Sequence, residues 1–194
     1  MLRKKLSNYN LILASGSPRR QGFFEQLDVP FTIQLKEVEE IYPEHLKAAE
    51  ITDYLADLKS KAFTDLQEND LLITSDTIVW FEGKAIGKPK DQEDAFNMLK
   101  AMSGKQHTVY TSVSIKSSSF QKIVHDETIV EFEEFTEEEI NYYLENFKPY
   151  DKAGSYGIQE WIGLVGVKKI TGSYFNVMGL PVHKLYKELL KIAQ

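Results

Sequence analysis

Residues 70–81, DLLITSDTIVWF, constrain this chain more than any other stretch. Branched and aromatic side chains dominate the run, which is long and apolar enough for the central strand of a sheet. Asp76 lies inside it, and a carboxylate there is unusual because burying an unpaired charge is costly. Two readings stay open. Asp76 caps a turn, or it lies at a strand end or cleft, where a carboxylate can activate water directly or through a divalent ion.

The flanking pattern surrounds that strand with both kinds of element. Residues 10–14 read as a strand and 18–27 as a helix, and FTIQL (31–35) reads as a second short strand. From about Leu46 to Leu66, Ile51, Tyr54, Leu55, Leu58, Ala62 and Phe63 recur at helical spacing. EGK (82–84) then turns the chain toward Lys88-Pro89, and residues 91–102 form an amphipathic helix. HTVYTSVSI (107–115) and KIVHDETIVEFEEF (122–135) alternate as antiparallel strands do. Thr136 and Glu139 stand in capping-box spacing and start the next helix. GLPVHKLYKELLKIA (179–193) closes the chain, with Pro181 near the helix start. No repeat, low-complexity tract or linker interrupts residues 1–194, which predicts a single domain of α/β or α+β type with a mixed sheet.

Composition narrows the function. The chain has 194 residues, 42% of them hydrophobic and 27% charged, which suits one substantial core. It has no cysteine, which excludes disulfides, thiolate nucleophiles and cysteine-based zinc sites. A net charge of −6 argues against a general nucleic-acid binder. No stretch reaches membrane-spanning length and the first residues lack the apolar run of a signal peptide, so a cytoplasmic location is expected.

A cation-rich turn stands out against that acidic background. LILASGSPRR (11–20) runs from an apolar strand into a Ser/Gly turn, Pro18 and two arginines. A strand that empties into a helix N-terminus makes a concavity of backbone N–H groups suited to an anion, and arginines add donors shaped for phosphate. The plainer reading is a Ser N-cap with Pro18 at the first helical position and both arginines in solvent. Glu39 and Glu40 read as a solvated pair unless a hard cation must be held beside Asp76. Lys61 sits beside Lys59 on the long helix, where solvated lysine is the ordinary expectation. Lys88 precedes Pro89 and is held extended. In YDKAGSYGIQEW (150–161), Gly154 and Gly157 suggest a tight loop, and Gln159 offers both a donor and an acceptor to a base edge. His45, His107, His125 and His183 show no metal-ligand spacing, and none is given a catalytic role.

Taken in order, LASGSPRR, SKA, SDTIV, GKP, MLKAMSGKQHTVYT, DKAGSYGIQ and GSYFNVMGLP resemble the Maf family of nucleoside triphosphate pyrophosphatases across nearly the whole chain. The resemblance implies a mixed, twisted β-sheet flanked by helices, with two lobes around a central nucleotide cleft, as in the inosine triphosphate pyrophosphatase type. The form DKAGSYGIQ looks like the branch acting on dTTP and UTP, whose members commonly carry Gly after the Gln; here Glu160-Trp161 follows. By motif position, Ser15, Arg19, Arg20, Lys61 and Lys88 would hold phosphates, with Thr77 and Gln159 setting selectivity. Asp76 would be the proton acceptor, and Glu40 with Asp76 would hold a divalent cation, Mg2+ or Mn2+. The resemblance further implies a nucleoside triphosphate as partner, a homodimer, and a house-cleaning role in the nucleotide pool. The alternatives are a non-enzymatic nucleotide-binding regulator of cell division and a pyrophosphatase of other base preference, such as 7-methyl-GTP.

Overall fold

The computed structural model describes residues 1–193. Its elements in chain order are α1 (Leu2–Lys5), β1 (Asn10–Leu13), α2 (Pro18–Gln26), β2 (Thr32–Ile33), α3 (Ala49–Lys61), β3 (Asp70–Phe81), β4 (Lys84–Ile86), α4 (Gln92–Met102), β5 (Gln106–Lys116), β6 (Gln121–Phe132), α5 (Glu137–Phe147), a 3-10 turn at Ala153–Ser155, α6 (Trp161–Gly166), β7 (Val167–Thr171), α7 (Tyr174–Val177) and α8 (Val182–Ile192). Among the described residues the strands form one seven-stranded sheet in the order β2-β1-β3-β5-β6-β7, with β4 paired to β3. β1 runs parallel to both β2 and β3, whereas β3–β4 and β6–β7 are antiparallel. The sheet is mixed, as the sequence implied. β3 is the central strand expected of DLLITSDTIVWF, buried along nearly its whole length.

Two strands and three short helices, α1, α6 and α7, lie outside the sequence reading. Glu82 and Gly83 both take positive φ, +48° and +81°, so a two-residue type I′ turn folds the chain back into β4 with Phe81 opposite Lys84. EGK therefore makes a hairpin before the chain reaches Lys88. β7 follows α6 directly and adds an edge strand beside β6. The second strand is shorter than FTIQL, only Thr32–Ile33, and both its residues are exposed. The long helix begins at Ala49 instead of near Leu46 and ends at Lys61.

The chain divides into two compact units. The first comprises Met1–Asp76, Thr111–Asp126 and the residues from Gly179 onward; the second comprises Thr77–Tyr110 and Glu127–Met178. In the first, Ile12, Phe63 and Leu72 form one apolar cluster, and α1 packs on α8, which buries Leu185 and Leu189. Helix α3 is seated through hydrogen bonds as well as apolar contact. Thr74 Oγ1 donates to Ala56 O at 2.6 Å, Thr52 Oγ1 meets Ser112 Oγ at 2.6 Å, and Gln121 Nε2 reaches Ser60 Oγ at 3.0 Å. Such bonds are worth about 1 kcal/mol each when made, and the two buried ones cost more when one partner is lost. They fix the rotation of α3 about its axis, which decides which lysine it points inward.

The second unit has a core of its own. Val79, Phe81, Leu99, Met102, Val109, Phe132, Ile140 and Tyr143 are buried together, with α4 packed on α5. Thr136 accepts from the Glu139 N–H while Glu139 bonds back to the Thr136 N–H, the capping box expected at this helix start. His107 lies within this core, 3% exposed, with Nε2 2.7 Å from the Tyr156 hydroxyl. Burial lowers its pKa to about 4, so the ring is neutral and structural.

Candidate active site

In the first unit, β1 and β3 run side by side only as far as Leu13 and Ile73, and Ala14 N donates to Ile73 O at 2.9 Å. Beyond that point β1 turns away into the Ser/Gly loop while β3 continues. The last backbone groups of this part of β3 therefore lose their strand neighbour on that side. Ligands of parallel α/β sheets bind at such strand ends.

Arg20 fills the opening. Its Nη1 donates to Ser75 O at 3.1 Å and approaches Ser15 Oγ at 3.4 Å, and its Nε donates to Gly179 O at 2.7 Å. Three chain segments are thus tied to one guanidinium. Burial lowers the pKa of Arg20 while the negative charge of Asp76 opposes that shift, and an arginine stays charged regardless. Ser17 is the N-cap of α2 and Pro18 opens the helix, as the motif implied, but Ser17 makes no side-chain cap bond. Ser15 Oγ instead accepts from the Ser17 N–H at 3.3 Å, which closes the loop on itself. Arg19 stands next to Arg20 at the positive end of α2, half-buried.

Asp76 is 6% exposed and its Oδ1 accepts from Lys59 Nζ at 2.6 Å. The same ammonium lies 2.9 Å from Glu40 Oε1. Burial raises the pKa of Asp76; the charge and hydrogen bond of Lys59, then Arg20, pull against it, and Glu40 adds to it. The result is a carboxylate more basic than an ordinary aspartate, held where a cation and an arginine can still reach it. That excludes the turn-capping reading, since Asp76 lies within β3 with its carboxylate on a lysine.

Ser15, Arg20, Glu40 and Asp76 are brought together, and Lys61 is not. Its amine pairs with Asp57 at 2.6 Å on the outer side of α3, with the side chain 66% exposed. Lys59 takes the inward place, and sequence reasoning passed over it.

Two carboxylates facing one positive charge are also a test of fit for a divalent ion. Glu40 and Asp76 already converge on an ammonium, so their oxygens can converge on a metal. Among the described residues no group of three or more His, Asp or Glu side chains could hold one. The remaining ligands would then be water and substrate oxygens, the usual arrangement for Mg2+.

In the second unit, Gly154 N donates to Gly87 O at 3.0 Å, next to Lys88. Gly154 has φ +69°, and a Cβ there would lie 2.9 Å from Val79 Cγ2, so only glycine lets this loop approach β3 so closely. Thr77 is half-buried on β3, and Lys88 and Gln159 are exposed.

Fold and site together define an α/β protein with an arginine seated at the loop where β1 leaves β3 and a basic, cation-paired carboxylate beside it. The chain belongs to the Maf family, whose Maf-like protein model matches residues 10–192. It is 58% identical over 190 residues to a dTTP/UTP pyrophosphatase of Flavobacterium johnsoniae, covering 97% of this chain and 98% of that one. It is 48% identical over 189 residues to a protein of the same name from Bacteroides thetaiotaomicron, covering 96% of this chain and 98% of that one. Among solved structures, the Ham1 protein of Staphylococcus aureus is similar in fold, with a TM-score of 0.54 at 14% identity over 95% of this chain and all of the other.

Proposed function

We propose that this protein is a nucleoside triphosphate pyrophosphatase that hydrolyses dTTP and UTP to the nucleoside monophosphate and pyrophosphate. The observation that carries the reading is Asp76, buried, made more basic than usual and set beside Arg20 and Lys59. Asp76 takes the proton of the attacking water as the bond between the α and β phosphates breaks. Arg19, Arg20 and Ser15 hold the phosphates. Lys59, which pairs with both Asp76 and Glu40 in the free protein, offers its ammonium to the polyphosphate and takes the role the motif had suggested for Lys61. Preorganised cations of this kind stabilise the charge that develops on the leaving pyrophosphate. Glu40 and Asp76 would hold a Mg2+ or Mn2+ ion; when bound, it would offset phosphate charge and polarise the attacked phosphorus.

The assignments of Thr77, Lys88 and Gln159 to the nucleotide rest on the family motifs, and base choice rests on the names of the relatives. A homodimer and a cytoplasmic setting belong to the same proposal, the latter because the triphosphate pool is there. Incubation with Mg2+ and a panel of nucleoside triphosphates tests the reaction. Pyrophosphate release from dTTP and UTP is expected. Orthophosphate with accumulating diphosphate would overturn the reaction type, and binding without turnover would favour a regulator.

A further inference from the structure

Glu160 stands where the dTTP/UTP branch commonly carries glycine, and it is not a solvated side chain. Its Oε2 accepts a short hydrogen bond from the Tyr143 hydroxyl, and its Oε1 lies 3.1 Å from Lys152 Nζ. The Tyr143 hydroxyl in turn accepts from the Gly157 N–H at 3.0 Å. Lys152 also pairs with Asp151 at 2.7 Å. Only 10% of the Lys152 side chain and 19% of that of Glu160 are exposed, so this ion pair is largely removed from solvent. Space for the carboxylate exists because residue 157 is glycine. A Cβ there would come within 2.7 Å of Glu160 Cδ.

These contacts act on one four-residue turn. Glu160 N donates to Gly157 O at 2.9 Å, closing Gly157-Ile158-Gln159-Glu160. The first corner is held by Tyr143 through the Gly157 N–H. The last corner is held by the Glu160 carboxylate on Tyr143 and Lys152. Ile158, one middle residue, is buried in the core, and Gln159, the other, is exposed. Tyr143 is itself fully buried on α5. A turn held at both corners and at one middle residue leaves Gln159 as the exposed member, available to meet a ligand.

We infer that Glu160 is a positioning residue that locks the Gln159 turn onto Tyr143 and Lys152 and so sets base discrimination. The inference rests on the proposed role of Gln159 as the reader of the base. Preorganising a recognition group lowers the ordering cost on binding, and the gain goes to the base that matches it.

Glu160→Gln keeps the size of the side chain but replaces the carboxylate that accepts from both Tyr143 and Lys152. The expected result is a three- to tenfold fall in kcat/KM for dTTP and UTP, carried by KM, with kcat within twofold and little change for GTP. Gln159→Ala alone should narrow the pyrimidine-to-GTP ratio, and Glu160→Gln added to it should narrow the ratio no further. Additive losses in the double variant would show that Glu160 acts on fold or catalysis without Gln159, overturning the inference. An unchanged ratio in Glu160→Gln, with Gln159→Ala effective, would overturn it too and leave the reading of Gln159 standing. An unchanged ratio in Gln159→Ala would instead overturn that reading and the inference with it. Should Glu160→Gln fail to fold, Tyr143→Phe keeps the ring but removes the hydroxyl that joins Glu160 to Gly157, and the same comparison with Gln159→Ala decides.

Discussion

At the scale of single residues, two lysines two positions apart have opposite environments because a helix turns about 200° between them. Lys59 follows Leu55 at i+4, and Leu55 and Ala56 are both buried, so the sheet-facing row of α3 ends on Lys59. Lys61 follows Asp57 on the outer row and pairs with it. The periodicity was therefore enough to distinguish them, since the row through Thr52, Leu55, Ala56 and Ser60 is the buried one. Motif matching on SKA hid the distinction. Lys59→Met should cost on the order of a hundredfold in kcat/KM, in the range found when one preorganised charge donor is removed. Lys61→Met should stay within about twofold, because an exposed pair contributes less than about 1 kcal/mol. Steady-state kinetics on dTTP for the two variants checks this, and equal losses would mean that Lys59 serves only to neutralise Asp76.

Elements were legible where sequence signals are local. The capping box at Thr136, the Pro18 helix start and the apolar β3 run are all read from a few consecutive residues, and all stand in the structure. β4 and β7 were missed for different reasons. Three residues are too short to show alternation, and the hairpin depends on Glu82 adopting a positive φ that glycine or asparagine usually supplies. VKKIT has two adjacent exposed lysines, and its edge pairing with β6 is a tertiary fact. Similarly, nothing in the sequence placed His107 of β5 inside a core. Its consequence is a pH dependence of stability. With the folded-state pKa near 4 and the ordinary value at 6.5, the unfolded chain takes up a proton as pH falls through that window while the folded one does not. Stability is then full above pH 6.5 and declines toward pH 4, by roughly 3 kcal/mol from this group. His107→Gln can keep the bond to Tyr156 without titrating. Urea midpoints at pH 7 and pH 4.5 should differ less in the variant than in the native protein. An equal difference would mean that His107 titrates normally in the folded state.

For the molecule as a whole, an acidic chain that binds a highly charged anion must gather its cations locally. A net charge of −6 is compatible with a triphosphate only because the field at the ligand is set by the nearest groups. Arg20 shows how closely that gathering is bound to the architecture, since it joins the first loop, β3 and the segment before α8. Binding and stability are consequently linked through it. Asp76→Asn should lower turnover on the order of a hundredfold or more, as expected for loss of a general base. The variant retains Arg20 and the loop, so it remains able to bind intact substrate during a thermal scan. At dTTP about a hundredfold above its Kd, linkage gives roughly 2.7 kcal/mol of added stability. For a chain of this size that raises Tm by about 5–10 °C. GTP at the same concentration should raise it less. Adding Arg20→Ala should lower the starting Tm, because three backbone or hydroxyl acceptors lose their donor, and should abolish the shift. A shift that survives the loss of Arg20 would place the triphosphate elsewhere in the molecule. Equal shifts with dTTP and GTP would show that base selection is exercised after binding, in the chemical step.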